Sequence, residues 1–219
     1  MCKKGKLIVI ESSNDRMGKT TLTKALIKAL KDKGEDVVFH HFHNRDAISG
    51  QFIDSLLNPN SPVDIKMLDP KFVANIYLLD MSMMTTQIEK ELSEGKYVIL
   101  DRYYTSTILY QSTMAFLKGG CTKEFAQEVE KIALETYKLL KPDHVICLYA
   151  NQILKSFYNS VKAEEDNFED MQFQKTLLST FFMLKEETDL FKDYILYDRG
   201  TDEHIVDYKL ILEDILTYI

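Results

Sequence analysis

The residues best suited to chemistry are Ser13-Asn14-Asp15-Arg16-Met17-Gly18-Lys19-Thr20-Thr21. They follow a short apolar run, Leu7-Ile8-Val9-Ile10, and open a stretch with apolar residues at Leu22, Ala25, Leu26, Ala29 and Leu30. Strand, tight turn, Gly-Lys-Thr, helix is the layout of a phosphate-binding loop. Backbone N–H groups point at an anion, which sits on the positive end of a helix. Lys19 then reaches the terminal phosphates, and the Thr20 hydroxyl offers a magnesium ligand. Arg16 carries a planar fork able to bridge two phosphates, although alone it would read as a solvated loop arginine. Ser13 stands where such loops usually begin with glycine. If that position needs a positive φ, serine costs about 1 kcal/mol.

Two further segments offer charge. Asp101-Arg102-Tyr103 follows the apolar run Tyr97–Leu100, and Phe42-His43-Asn44-Arg45 follows a second run ending at His41. Asp101 could hold magnesium through water or orient Arg102, and Arg102 could clamp a phosphate. An ordinary surface ion pair is the alternative. Arg45 reads either as a second phosphate clamp or as a lone surface arginine. Phe72 offers a flat face to a planar ring, yet with Asn75, Ile76 and Leu79 at helical spacing it fits plain core. Phosphoryl transfer needs this inventory: positive charge around the moving group, a metal, and an acceptor held in line.

Positioning these groups needs a frame, and the hydrophobic pattern supplies one. Strands are expected at Lys6–Glu11, Asp36–His41, Tyr97–Leu100, His144–Leu148 and Tyr194–Tyr197. Helices are expected at Gly18–Asp32, Ser49–Leu57, from Pro70 without interruption towards Leu92, Tyr104–Phe116, Lys123–Leu140, Asn151–Tyr158, Glu169–Glu187 and Ile205–Tyr218. Short apolar strands alternating with helices imply a parallel sheet covered on both faces. Right-handed crossovers place all strand C-termini on one edge, where ligands bind. The phosphate loop, Arg45, Asp101, Asp198 and Arg199 lie just past strand ends and should converge.

The chain has 219 residues, enough for one substantial α/β domain, and no repeat or linker divides it. The net charge is −7 without a basic tract, which argues against a nucleic-acid partner. Cys2, Cys121 and Cys147 have neither metal-ligand spacing nor an even count, as expected of free thiols in a reducing compartment. Residues Met1–Lys6 run straight into the first strand, leaving no room for a signal peptide. No apolar run approaches the length of a membrane span. A cytoplasmic protein without a membrane partner is expected.

These motifs, in this order, resemble the thymidylate kinase family over nearly the whole chain. Asp15-Arg16 matches the acidic-basic pair of its loop. Phe42-His43-Asn44-Arg45 matches a Phe-Pro-x-Arg block, and Phe72-Val73-Ala74-Asn75-Ile76 a Phe-x-Ala-Asn-Arg block. Asp101-Arg102-Tyr103 matches its Asp-Arg-Tyr signature, with Ser106 and Tyr110 after it. Phe168-Glu169 and Phe173-Gln174 match Tyr-Glu and Phe-Gln pairs at its lid. The resemblance implies a P-loop NTPase-type three-layer α/β/α sandwich with a five-stranded parallel sheet. It is one domain, 1–219, with a lid at about 160–168. It implies transfer of the ATP γ-phosphoryl group to dTMP, or to another deoxynucleoside monophosphate, with Mg2+.

In that reading Arg16, Lys19, Asp101 and Arg102 are catalytic. Ser13, Asn14, Met17, Gly18, Lys19, Thr20, Thr21 and Arg199 hold the nucleotide donor, and Thr20 and Asp101 the metal. Asp15, Phe42, Arg45, Phe72, Arg102, Ser106, Tyr110, Phe168 and Gln174 hold the acceptor. Asp15 contacts the sugar 3′-hydroxyl and Phe72 stacks on the pyrimidine. The lid, Val161 to Phe168, has Lys162 but no arginine, so Arg16 takes the catalytic-arginine role, as in the eukaryotic and poxvirus enzymes. It should close over the phosphates. Departures at Ser13, Ile76, Ser156 and Phe168 motivate a second reading, a nucleotide-binding relative without useful catalysis. A third is a deoxynucleoside kinase. Homodimerisation is expected through the Met-rich helix after Pro70 (Met81, Met83, Met84), whose methionines equally fit an irregular core.

Overall fold

The computed structural model describes residues 4–155, 168 and 170–219. Five strands form one all-parallel sheet: β1 (Lys6–Ser12), β2 (Val37–His41), β3 (Tyr97–Asp101), β4 (His144–Tyr149) and β5 (Tyr194–Asp198), in the order β2-β3-β1-β4-β5. Period-2 alternation splits β1 between two cores. Leu7 and Val9 join Val98, Leu100, Val145 and Cys147 on one face; Ile8 and Ile10 join Ile99, Ile146 and Leu148 on the other. Helices α1 (Lys19–Asp32) and α8 (Tyr208–Tyr218) cover the second face. The first face packs against α2 (Ile48–Leu57), α3 (Pro70–Ser82), α4 (Thr85–Ser93), α5 (Tyr104–Leu117), α6 (Thr122–Lys131) and α7 (Met171–Glu187). The result is the expected three-layer sandwich. Among the described residues no helix is long and apolar enough to cross a membrane.

Several helices differ from expectation. The run from Pro70 is two helices, because Met84 N–H turns back to the carbonyl three residues earlier, at Met81, and ends the ladder. β-Branched Thr85 and Thr86 follow and open α4, which buries Ile88 in the core and brings the Leu92 carbonyl to Gly5 N–H. Helix α6 gives way to a π turn, Ile132–Thr136, and Lys138 at φ 54° stops the helix before Leu140. Residues 151–154 are not helical, Lys155 is, and residues 156–158 of the expected helix lie outside the described residues. Asp207 caps α8 by accepting from Lys209 N–H, so that helix starts after Ile205, which bridges to Gly200.

Candidate active site

The anion loop is braced from below. Met17 is fully buried in the α1-side core, and Ser13 N–H donates to Leu148 O at 2.9 Å. Ser13, Asn14 and Met17 turn their side chains inward. Ser13 does not have a positive φ, so the strain expected of it is absent; left-handed backbone falls instead on Arg16 (62°) and Gly18 (89°). No side chain caps α1, which leaves its first-turn N–H groups at Lys19, Thr20 and Thr21 as the anion donors. Arg199 stands over this turn: a Cβ on Gly18 would lie 3.7 Å from its Nη2. Its backbone N–H bonds Tyr149 O at 2.7 Å, and its carbonyl accepts from Val206.

Beside the loop lies a charged cluster. Asp15 pairs with Arg102, accepts from Tyr110 Oη at 2.8 Å and accepts from Gln174 Nε2 at 2.8 Å. Gln174 is wholly buried. It also accepts from Asp15 N–H at 2.9 Å and donates to Phe168 O at 2.8 Å, so one amide ties α7 to the loop. Burial opposes ionisation of Asp15, but the charges of Arg102 and Lys19, with the Tyr110 hydrogen bond, outweigh it and hold the carboxyl below its usual range. Lys19 is pushed down, first by burial and then by Arg102, against Asp101, Asp15 and Glu11. Lys19 and Arg102 therefore share one electrostatic environment, although far apart in sequence.

Glu11 explains the placement of Arg102 and Ser106. Helix α5 has no side-chain cap of its own. The buried Glu11 carboxylate instead accepts from Tyr103 N–H at 3.2 Å, from Thr105 Oγ1, and from Ser106 Oγ at 2.5 Å. A carboxylate at a helix N-terminus is favoured by the dipole. Burial nonetheless pushes its pKa up, against these hydrogen bonds.

A cavity of about 230 Å³ opens next to this cluster. Of the expected acceptor residues, Asp15, Phe42, Arg45, Arg102, Ser106, Tyr110 and Phe168 line it. Gln174 lies behind, as the brace of Asp15. Phe72 is elsewhere. It is 54% exposed on the outer side of α3, with Leu79, so it serves neither the cavity nor the core. Tyr77 and Met81, one helical turn apart, face the cavity in its place. His41, His43, Thr107 and Gln111 are further lining groups that sequence reasoning missed. Gln111 is 1% exposed and its Oε1 has no hydrogen-bond partner among the described residues. The inward stripe Val73, Tyr77, Met81 was the available signal for α3.

Magnesium fits the residues present. Asp101 Oδ1 is buried with no hydrogen-bond partner among the described residues. Burial disfavours its charge, but the His41 ring, with Nδ1 3.7 Å from Oδ2, and the charges of Lys19 and Arg102 prevail and keep the carboxyl below its usual range. Among the described residues no three His, Cys, Asp or Glu side chains cluster as a metal cage. That suits an ion bound mainly by substrate phosphates, with one carboxylate and the Thr20 hydroxyl. Ser156, Lys162 and the expected lid, Phe168 apart, lie outside the described residues.

The family model for thymidylate kinase matches residues 14–193. The Danio rerio thymidylate kinase is 28% identical over 216 residues, covering 99% of this chain and 93% of that protein. The Homo sapiens thymidylate kinase is 25% identical over 212 residues, covering 97% and 92%. In fold, the chain is similar to a solved thymidylate kinase from Candida albicans, with a TM-score of 0.75 at 21% identity over 99% of this chain and 91% of that one. Phosphate loop, charged cluster and cavity at one sheet edge agree with these likenesses, and the chain belongs to the thymidylate kinase family.

Proposed function

We propose that this phosphotransferase moves the γ-phosphoryl group of ATP to the 5′-phosphate of dTMP, giving ADP and dTDP. The observation that carries the reading is the Asp15–Arg102 ion pair on the cavity wall, within electrostatic reach of the buried Lys19 of the anion loop. ATP takes the loop, its phosphates on the first-turn N–H groups of α1 and Lys19, with Arg199 beside them. Arg16 and Lys19 bear on the moving phosphoryl group. Arg102 and Arg45 hold the acceptor phosphate. Asp15 receives the sugar 3′-hydroxyl, and Tyr110 and Ser106 keep Asp15 and Arg102 in place. Thr20 and Asp101 hold Mg2+, which neutralises phosphate charge when bound.

Tyr77 is our candidate for the face on which the base stacks, in place of Phe72. Gln111 supplies an acceptor beside a donor, which suits the N–H and carbonyl on the edge of a thymine ring. Met81, an apolar side chain, leaves that edge to the amide. The Candida albicans relative is described as having broad substrate specificity, so the acceptor series should include dUMP and dGMP as well as dTMP. A coupled ADP-release assay tests the reading. Absence of turnover with every monophosphate, from folded protein, would refute it.

The lack of positive φ at Ser13 weakens one motive for a catalytically silent relative. That reading requires Lys19→Ala to leave the rate unchanged. A nucleoside kinase requires Arg45→Ala to leave acceptor KM unchanged. We also propose a homodimer through the outer side of α3, where Phe72 and Leu79, with Met83 just past the helix end, are all more than half exposed. Sedimentation of wild type against Leu79→Glu tests it.

A further inference from the structure

The clamp role of Arg45 raises a physical difficulty. Its side chain is 68% exposed, and a long free side chain loses much rotamer freedom on gripping a phosphate. Something should hold it beforehand. His43 is nearly buried, and its Nε2 lies 2.7 Å from Asp54 Oδ1. Arg45 Nε lies 3.4 Å from the same oxygen.

The supports of this group are rigid. Asp54 sits on α2 one turn beyond Gly50, where a Cβ would meet Asn44 O at 1.9 Å, so helix and loop touch backbone to backbone. Asp80 on α3 is buried and accepts from Asn44 N–H at 2.9 Å and Ser49 Oγ at 2.6 Å, locking loop and helix to a third element. The His43 ring meets Tyr77 edge-on, with centroids 6.2 Å apart at 70°.

We propose that Asp54 and His43 are positioning residues for the acceptor phosphate. His43 Nε2–H donates to the Asp54 carboxylate, and the carboxylate holds the Nε edge of Arg45. The terminal amino edge of the guanidinium is left for a bidentate phosphate contact. This inference rests on the kinase reading, and on Arg45 as its clamp. Two effects oppose each other. A carboxylate near a phosphate site repels the acceptor, while a pre-set guanidinium binds it at lower entropic cost. We infer that orientation wins, because Asp54 meets the arginine at its inner nitrogen.

The test measures steady-state turnover and dTMP binding by calorimetry for Asp54→Ala, His43→Ala, His43→Gln, Arg45→Ala and the Arg45→Ala/Asp54→Ala pair. Asp54→Ala should raise acceptor KM and Kd about fivefold, with kcat and the KM for ATP within about twofold of wild type. His43→Ala should raise them about threefold, and His43→Gln should restore them, since its amide can donate to Asp54. In the Arg45→Ala background Asp54→Ala should add nothing. An unchanged or lowered acceptor KM in Asp54→Ala, or an equal effect without Arg45, overturns the proposal while wild-type turnover leaves the kinase reading standing. Wild type that binds dTMP without turnover, with binding weakened by Asp54→Ala, overturns the kinase reading alone. Wild type that neither binds nor converts dTMP overturns both.

Discussion

Gly50→Ala separates local propensity from tertiary packing by sign. Gly50 is inside α2, where alanine should stabilise an isolated helix by about 1 kcal/mol. In the folded protein its Cβ would lie 1.9 Å from Asn44 O, 2.3 Å from Asn44 C and 3.0 Å from Arg45 N. All three are backbone atoms, so no rotamer relieves the overlap, and α2 must retreat by at least about 1 Å. Retreat strains the Ser49–Asp80 and His43–Asp54 hydrogen bonds. Overpacking costs about 1–3 kcal/mol, and each weakened bond up to about 1 kcal/mol. Against the propensity gain of about 1 kcal/mol, mid-range values leave a net loss of about 2 kcal/mol. For a chain of this size that is a fall in Tm of roughly 4–8 °C. Acceptor KM should rise with the displacement of Arg45, while the KM for ATP stays put. Gly34→Ala is the control. Nothing lies within 4 Å of its Cβ, but its φ is 84°, so it should lose only about 1 kcal/mol and keep both KM values. Thermal melts with steady-state kinetics decide the matter. A Gly50→Ala protein that melts at or above wild type with unchanged acceptor KM refutes the reasoning.

Three further outcomes are expected. Tyr77→Ala should weaken dTMP binding by about 1–3 kcal/mol, typical of a lost base–aromatic stack, whereas Phe72→Ala should change it by less than twofold; calorimetric Kd values compare them. Lys19→Met should lower kcat about 100-fold or more through lost transition-state charge, yet leave dTMP Kd nearly unchanged, as single-turnover assays and titrations will show. The folded pKa of Asp15 lies below its ordinary 3.8, so its ionised form adds stability above that value, lost as pH falls through the folded pKa. The gap in unfolding free energy between wild type and Asp15→Asn should therefore be widest near neutrality and shrink below pH 3.8. A gap independent of pH would contradict the ion pair with Arg102.

Where interactions are local, the sequence was a sufficient guide. Strand positions follow from unbroken apolar runs such as Tyr97–Leu100, which must be buried on both faces. The anion loop is legible because Gly18, Lys19 and the helix after them are contiguous. That Arg102 and Arg45 would reach one cavity was legible because strand ends share one edge in a parallel sheet. On α3 this logic failed. The Phe-x-Ala-Asn string fits at Phe72, yet Tyr77 is the residue facing the cavity. Five residues turn a helix by about 140° beyond a full turn, so Phe72 and Tyr77 lie on nearly opposite sides. Which side faces inward is set by packing of α3 on α5, and a short string cannot encode it.

By itself, then, the sequence determined the layers, the phosphate loop and the identity of the charged groups, because periodicity and contiguity act over a few residues. Only the tertiary structure decided that Glu11 of β1 caps α5, that Gln174 of α7 braces Asp15, and that Asp54 of α2 meets Arg45. Each joins groups on separate elements. Their meeting depends on how helices seat on the sheet, a property of the whole packed core and of no single segment.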